Sequence, residues 1–199
     1  MGERLRVQHG GDGEPVLLLL HGLGASGDVW NGLHDVLSGR WPGRWVTPDL
    51  PGHGGSDPLA GYSFGRLAAA VAPAVPSGRR VVALGHSLGG AVALALASGW
   101  FGVRVSAVCG LGIKVVWTDE ELARARVLSA RLNPVYATRG EAADRHLRVA
   151  GLSGLVARTP WGMPHSCTVK TAGPLPSIPR RFRSAPRTWS ACSEPRVLP

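Results

Sequence analysis

From residue 4 to residue 111, short apolar runs alternate with segments whose apolar positions recur at helical spacing. Val16–Leu20 is continuously apolar and stops at His21-Gly22; a run that short between turn signals predicts a buried strand. Residues 4–8 predict a short strand before it, closed by the turn-like HGGDGEP. From Ser26 onward Val29, Trp30, Leu33, Val36 and Leu37 share one helical face, with Ser26 or Asp28 as the cap. Residues 44–50 predict a strand made irregular near its end by Pro48, and PGHGGSDP predicts a loop. An alanine-rich helix is expected over 64–75, ended near Pro76. Residues 80–85 predict a strand, 88–98 a helix apolar almost all round and therefore buried, and 103–111 a further strand. Strands alternating with helices in this way imply an α/β fold, a mostly parallel sheet with helices on both faces.

After residue 117 the pattern changes. TDEELARARVLSARL is helical, with Thr118 as cap and Glu121 three residues on, the signature of a capping box. Residues 140–156 give a second helical stretch, and the two together suit a partial helical lid over the sheet's C-terminal edge. No strand or helix period survives in residues 158–199, which hold half of the chain's 16 prolines. Two readings of this segment stand side by side: an irregular, disordered basic tail, or the product of a shift in reading frame within a GC-rich gene. The expected division is a core over 1–116, a lid segment over 117–157 and the tail over 158–199.

Length and charge narrow the picture. A chain of 199 residues fits one domain of the usual size. No apolar run approaches the roughly 18 residues that cross a bilayer, and the polar, glycine-rich start lacks the order of a secretory signal; a cytoplasmic protein with no membrane partner is expected. The net charge of +9 is uneven: residues 1–157 carry 15 basic and 12 acidic side chains, residues 158–199 seven and one. The body is ordinary and only the tail is basic, so no nucleic-acid partner is expected, the tail lacking a recognisable binding fold. Cys109, Cys167 and Cys192 show neither metal-ligand spacing nor an even framework; Cys109, in an apolar run, reads as a small core residue. Oligomeric state is not legible.

Residues 85–90, Gly-His-Ser-Leu-Gly-Gly, stand between the strand RVVALG and the helix LGGAVALALAS. G-x-S-x-G in that setting predicts a nucleophile elbow with Ser87 exposed at a sharp strand-to-helix turn. An acyl-transfer site also needs preorganised backbone N–H groups for the developing oxyanion. Leu88, after the serine, supplies one; the loop His21-Gly22-Leu23-Gly24 supplies the other, through Leu23. The same loop, Gly22 to Gly27, is also a formal G-x-G-x-x-G between strand and helix, and Asp49 ends the next strand, so a dinucleotide-binding reading competes. That rival leaves GHSLG and PGHG unexplained. In DLPGHGGSD, Asp49 and Asp57 read as local hydrogen-bond acceptors in a tight turn, with His53 structural; His86 beside the serine reads likewise. No histidine pair has metal-ligand spacing, and Lys114 and Lys170 belong to no phosphate-binding loop.

Taken together, HGLGASGDVW, DLPGHGGSD and GHSLGG resemble the α/β-hydrolase superfamily, and within it the branch of small esterases, lactonases and carbon–carbon bond hydrolases. The resemblance covers roughly residues 1–157. It implies Ser87 as nucleophile, Leu23 and Leu88 as oxyanion donors, a small acyl substrate, no cofactor and no metal. It also implies a triad acid and base on loops after late strands, and there the chain departs: after the lid segment it enters the Pro/Arg tail. The fold is therefore expected to be an incomplete α/β-hydrolase fold, truncated or frameshifted at its C-terminus, with activity impaired. The remaining acid and base candidates are poor. Asp144 and His146 are two apart on one helix and do not face each other. Asp119 and Glu120 suit a helix N-terminus, and His165 lies between Pro164 and Ser166 in the tail. A non-catalytic, small-molecule-binding half-domain is the alternative.

Overall fold

The computed structural model describes residues 4–129 and 138–149. Five strands, β1 (Val7–Gly10), β2 (Val16–Leu20), β3 (Trp45–Pro48), β4 (Arg80–His86) and β5 (Arg104–Leu111), form one sheet in the order β1-β3-β2-β4-β5. β1 is antiparallel to β3, and the other pairs are parallel. β2 and β4 pair in register from Val16 opposite Val81 to Leu20 opposite Gly85. The loops that leave these two strands, starting at His21 and Ser87, thus emerge side by side at the sheet's C-terminal edge.

Every residue of β2 is buried, and successive side chains of a strand point to opposite faces. Val16, Leu18 and Leu20 join Leu67, Ala68 and Val71 of α2 (Phe64–Val71) and Val92, Ala93 and Leu96 of α3 (Leu88–Leu96). Leu17 and Leu19 join Leu37 of α1 (Asn31–Leu37), with Trp30, Leu33 and Trp41 packed against them. One five-residue run therefore feeds a core on each face of the sheet, and helices cover both, as expected.

Local chemistry moved several boundaries. The helix expected from Ser26 opens as a 3₁₀ turn, Gly27–Trp30, before α1 begins. Ser26 makes no side-chain cap bond; its hydroxyl donates to the Asp28 carboxylate at 3.3 Å. Val29 and Val36 of the expected apolar face are exposed, because Trp30, Leu33 and Leu37 already fill the contact with the sheet. The helix over 64–75 stops at Val71 and tightens into a 3₁₀ turn, Ala72–Ala74, since Pro73 offers no N–H for an α-helical bond. Ser63 caps its start, accepting from the Arg66 N–H at 3.1 Å. In α3, Leu94 is 49% exposed, so that helix is not buried all round.

Cys109 is exposed, contrary to its reading as a core residue. Its strand, β5, is one of the two edge strands of the described sheet, and most of its positions face solvent. The capping box formed as expected at α4 (Asp119–Ser129): Thr118 Oγ1 accepts from the Glu121 N–H at 3.2 Å, and the Glu121 carboxylate accepts from the Thr118 N–H at 3.0 Å. A further helix, α5 (Arg139–Val149), follows. The expectations for residues 130–137, within the lid segment, for 150–157 and for the tail 158–199 lie outside the described residues. Among the described residues no helix is long and apolar enough to cross a membrane.

Candidate active site

Ser87 sits where β4 ends and α3 begins, with φ 49° and ψ −113°. Among the described residues it is the one non-glycine residue with positive φ. A side chain in such a conformation costs on the order of 1–3 kcal/mol and persists only where its surroundings over-determine it. Here they do. The Ser87 N–H donates to the Leu111 carbonyl at 2.8 Å, and the Ser87 carbonyl accepts from the Gly90 N–H at 3.1 Å. The bend also needs glycine on both sides. A β-carbon on Gly89 would lie 2.2 Å from the Leu20 carbonyl oxygen, and one on Gly85 would lie 2.4 Å from the Gly89 carbonyl carbon. Gly85 and Gly89 thus let the helix start press directly onto the strand ends, which leaves Ser87 standing at the bend, half-buried.

Two backbone amides lie beside that bend. Leu88 is the first residue of α3, and the first N–H groups of a helix have no partner within it. The loop after β2 approaches from the other side: a β-carbon on Gly22 would stand 3.4 Å from the Ser87 β-carbon and 2.7 Å from His86 Nδ1. Residues 22–25 make a tight turn in which the Ala25 N–H donates to the Gly22 carbonyl at 3.2 Å, with Gly24 at φ +75°. A glycine with positive φ at the third position is the mark of a type II turn, which places Leu23 second, where the N–H takes no part in the turn's own hydrogen bond. The Leu23 side chain is 53% exposed.

The loops after β2 and β3 are tied together by two buried side chains. His21 is fully buried; its Nε2 accepts from the Leu50 N–H at 2.8 Å, and its Nδ1 lies 2.8 Å from the Gly22 carbonyl oxygen. An acceptor at Nε2 puts the proton on Nδ1, so the ring is neutral and donates to Gly22. Burial, reinforced by the His53 ring with its centroid 5.2 Å away, pushes the His21 pKa down to about 4. Asp49, 1% exposed, accepts from the Gly27 N–H at 2.7 Å, the Gly55 N–H at 2.8 Å and Arg6 Nη1 at 3.0 Å. Arg6 also reaches Asp28 at 3.0 Å, which Gln8 contacts at 2.7 Å. Burial alone would raise the Asp28 carboxyl; the Arg6 guanidinium overrides it and holds that pKa below the usual carboxylate range. Asp57 accepts from the Arg4 N–H at 3.0 Å. Both aspartates of DLPGHGGSD accept from backbone as expected, but of these partners only Gly55 is local; Gly27 and Arg4 come from distant loops, so the two side chains tie the turn to other segments. The sequence reading passed over His21; its signal was a histidine closing a wholly apolar strand run, where only a doubly bonded ring is affordable.

The other candidates fall elsewhere. Asp119 and Glu120 open α4, and Glu120 pairs with Arg124 one turn on. Asp144 and His146 share α5, and His165 lies outside the described residues. The histidines near the core are occupied: His21 as above, His34 at 2.9 Å from Thr47 Oγ1, His53 Nδ1 at 3.1 Å from the Pro51 carbonyl. His86 is exposed over Gly22 and Gly112. Among the described residues no cluster of three His, Cys, Asp or Glu side chains could hold a metal ion. In the rival dinucleotide loop, Gly27 opens a 3₁₀ turn rather than an α-helix, and its N–H is taken by the Asp49 carboxylate.

Known proteins share this fold. A family model described as "Alpha/beta hydrolase family" matches residues 17–198. The chain is 41% identical over 99 residues to an uncharacterised protein of Mycobacterium tuberculosis, an alignment covering 48% of this chain and 28% of that one. It is 47% identical over 94 residues to a pimeloyl-[acyl-carrier protein] methyl ester esterase of Aeromonas hydrophila, covering 46% and 35%. A solved thermophilic esterase from Thermogutta terrifontis superposes with a TM-score of 0.55 at 25% identity, over 64% of this chain and 47% of that one. The matched stretches thus span about a third of the curated relatives' length.

Proposed function

Because the chain belongs to the alpha/beta hydrolase family, we propose that it is a serine hydrolase that cleaves a small ester, lactone or related acyl substrate through an acyl-enzyme at Ser87. The observation that carries the reading is the backbone of Ser87, a strained φ of 49° imposed between a parallel strand and a helix start. Relatives described as esterases support the ester class.

In this mechanism a general base takes the hydroxyl proton as Ser87 Oγ bonds to the acyl carbon, and the carbonyl electrons move onto oxygen. The resulting oxyanion is held by the N–H groups of Leu23 and Leu88, backbone donors of the kind that stabilise such a charge. Collapse restores the carbonyl and expels the alcohol, which takes up the proton. Water then cleaves the acyl-enzyme by the same route. The chemistry calls on no cofactor, metal or nucleic acid.

The triad acid and base are unassigned, since His21, His34 and His53 are engaged elsewhere and no late Asp loop or Gly-His pair is legible after residue 157. Triad enzymes that lose a member keep only roughly 10³–10⁴-fold acceleration over water. Low turnover by this 199-residue chain is therefore expected on a p-nitrophenyl ester. A fluorophosphonate probe with peptide mapping tests the nucleophile: slow labelling at Ser87, absent in Ser87→Ala, is the expected result. Labelling nowhere would favour the small-molecule-binding half-domain instead. Turnover at ordinary esterase rates, lost in Ser87→Ala, would sink the impaired-triad reading and leave the acyl-enzyme standing.

A further inference from the structure

A strand sends successive side chains to opposite faces, which would part His86 from Ser87. The bend at Ser87, with φ 49°, breaks that alternation. Both side chains converge on Gly22 instead. A β-carbon there would stand 2.7 Å from His86 Nδ1 and 3.4 Å from the Ser87 β-carbon. The ring nitrogen and the serine carbon can thus be no farther apart than these two distances laid end to end. A proton passes between a hydroxyl and a base at about 2.6–3.2 Å, or across one bridging water. Rotation of the Ser87 hydroxyl toward the ring, with one such water, spans the gap. The far side of the ring lies over Gly112, whose β-carbon would stand 3.7 Å from Nε2. Bare glycine on both flanks leaves the ring uncovered, and His86 is exposed. His21 and His53, also at this edge, have backbone partners at their ring nitrogens. Among the described residues the His86 ring has no hydrogen-bond partner, so no structural bond there withholds its lone pair.

We propose that His86 is a catalytic residue: it is the general base that takes the Ser87 hydroxyl proton, through Nδ1, in a chain where no triad histidine is legible. This deepens the acyl-enzyme reading above and rests on it. With its own proton on Nε2, the neutral ring presents a lone pair at Nδ1. As Ser87 Oγ bonds to the acyl carbon, the hydroxyl proton passes to Nδ1 and the carbonyl electron pair moves onto oxygen. When the carbonyl re-forms, the ester C–O bond breaks. The imidazolium returns the proton to the departing oxygen, which leaves as the alcohol. Water then gives a proton to the same nitrogen as its oxygen bonds to the acyl carbon, and Ser87 Oγ leaves with that proton. The neutral ring is restored after each half. Among the described residues no carboxylate holds the far nitrogen, so nothing there steadies the imidazolium, and the low turnover expected above follows. Base and nucleophile are then neighbours in the sequence as well as in space.

A thiol at position 87 reads the pairing without any acyl chemistry. The thiolate is the reactive form, and a neighbouring imidazole raises its fraction. Ser87→Cys should therefore be alkylated by iodoacetamide at pH 7 about tenfold faster than the same variant carrying His86→Ala or His86→Gln. Peptide mapping resolves the position, and the exposed Cys109 is a reference on the same chain whose rate should not change. Because His86 is exposed, both changes should leave Tm near wild type, and glutamine keeps most of the ring's bulk. Equal alkylation at position 87 in all three would overturn the proposal and leave His86 a bystander. Fluorophosphonate labelling of Ser87 gives a second readout. It should slow on the order of 10²-fold in His86→Ala and recover when free imidazole is added, since the open flanks admit it. A loss that imidazole does not restore would count against the base, because a purely structural defect is not mended by a base in solution. The two readings fail separately. A fast thiol at 87 with no labelling of wild type sinks the acyl-enzyme and keeps the pair; labelling unchanged by His86→Ala sinks the base and keeps the acyl-enzyme.

Discussion

In the proposed mechanism Ser87 and Leu23 act in opposite ways, one through a side chain held at a strained bend of its backbone, the other through a backbone group indifferent to its side chain. The difference is testable at single positions. Proline is favoured at the second position of a type II turn and removes the N–H. Leu23→Pro should therefore fold, with Tm close to wild type, and lose Ser87 reactivity by on the order of 10²–10³, the usual toll for one missing oxyanion donor. Leu23→Ala should keep it, since that side chain is 53% exposed. Equal probe-labelling rates for the proline and alanine variants would remove Leu23 from the site. At this scale the serine was readable in the sequence, because its flanking pattern of small residues has few other uses. The burial and bonding of His21 were not, because its neighbours in space, Leu50 and the His53 ring, lie about thirty positions away in the chain.

Among the elements, the expected strands formed whether wholly buried, as β2, or half-buried, as β4, while the extent of the helices and the faces they share were not legible. Val16–Leu20 formed the strand its composition predicted because all five side chains are buried. Thr118 and Glu121 capped α4 because their bonds are local and need no partner from elsewhere. The apolar face expected from Ser26 opened as a 3₁₀ turn instead, with Gly27 drawn to Asp49; a tertiary hydrogen bond overrode the helical period. Cys109 is exposed because only position in the sheet decides whether an apolar strand has two neighbours or one. The contact of α3 with β2 depends on Gly89, where a β-carbon would press into the Leu20 carbonyl. Backbone cannot rotate aside as a side chain does, so Gly89→Ala should cost at least about 2 kcal/mol by overpacking. Urea denaturation measures this, and a variant as stable as wild type would show that α3 does not need the close approach.

For the molecule as a whole, stability should carry the mark of one buried neutral ring. Unfolded, His21 takes up a proton near pH 6.5; folded, it does so only near 4, with His53 adding to the burial effect and Asp49 and Asp28 opposing it. Between those values the unfolded chain binds more protons, so acid favours unfolding. The contribution is complete above about pH 6.5 and falls away as the pH drops toward about 4, on the order of 3 kcal/mol in all. Denaturation of wild type and His21→Gln at pH 7 and pH 4.5 checks it: wild type should lose its advantage at the lower pH, and a pH-independent difference would refute the assignment. What the sequence by itself determined is local: which runs are apolar enough to be strands, where a turn can cap, and where a serine is bent out between small residues. The tertiary structure decided which loops meet. Pairing β4 beside β2 with β3 on the other flank brings residues 21, 49 and 87 to one edge, because a parallel sheet returns every strand's C-terminal end to the same side regardless of its distance along the chain.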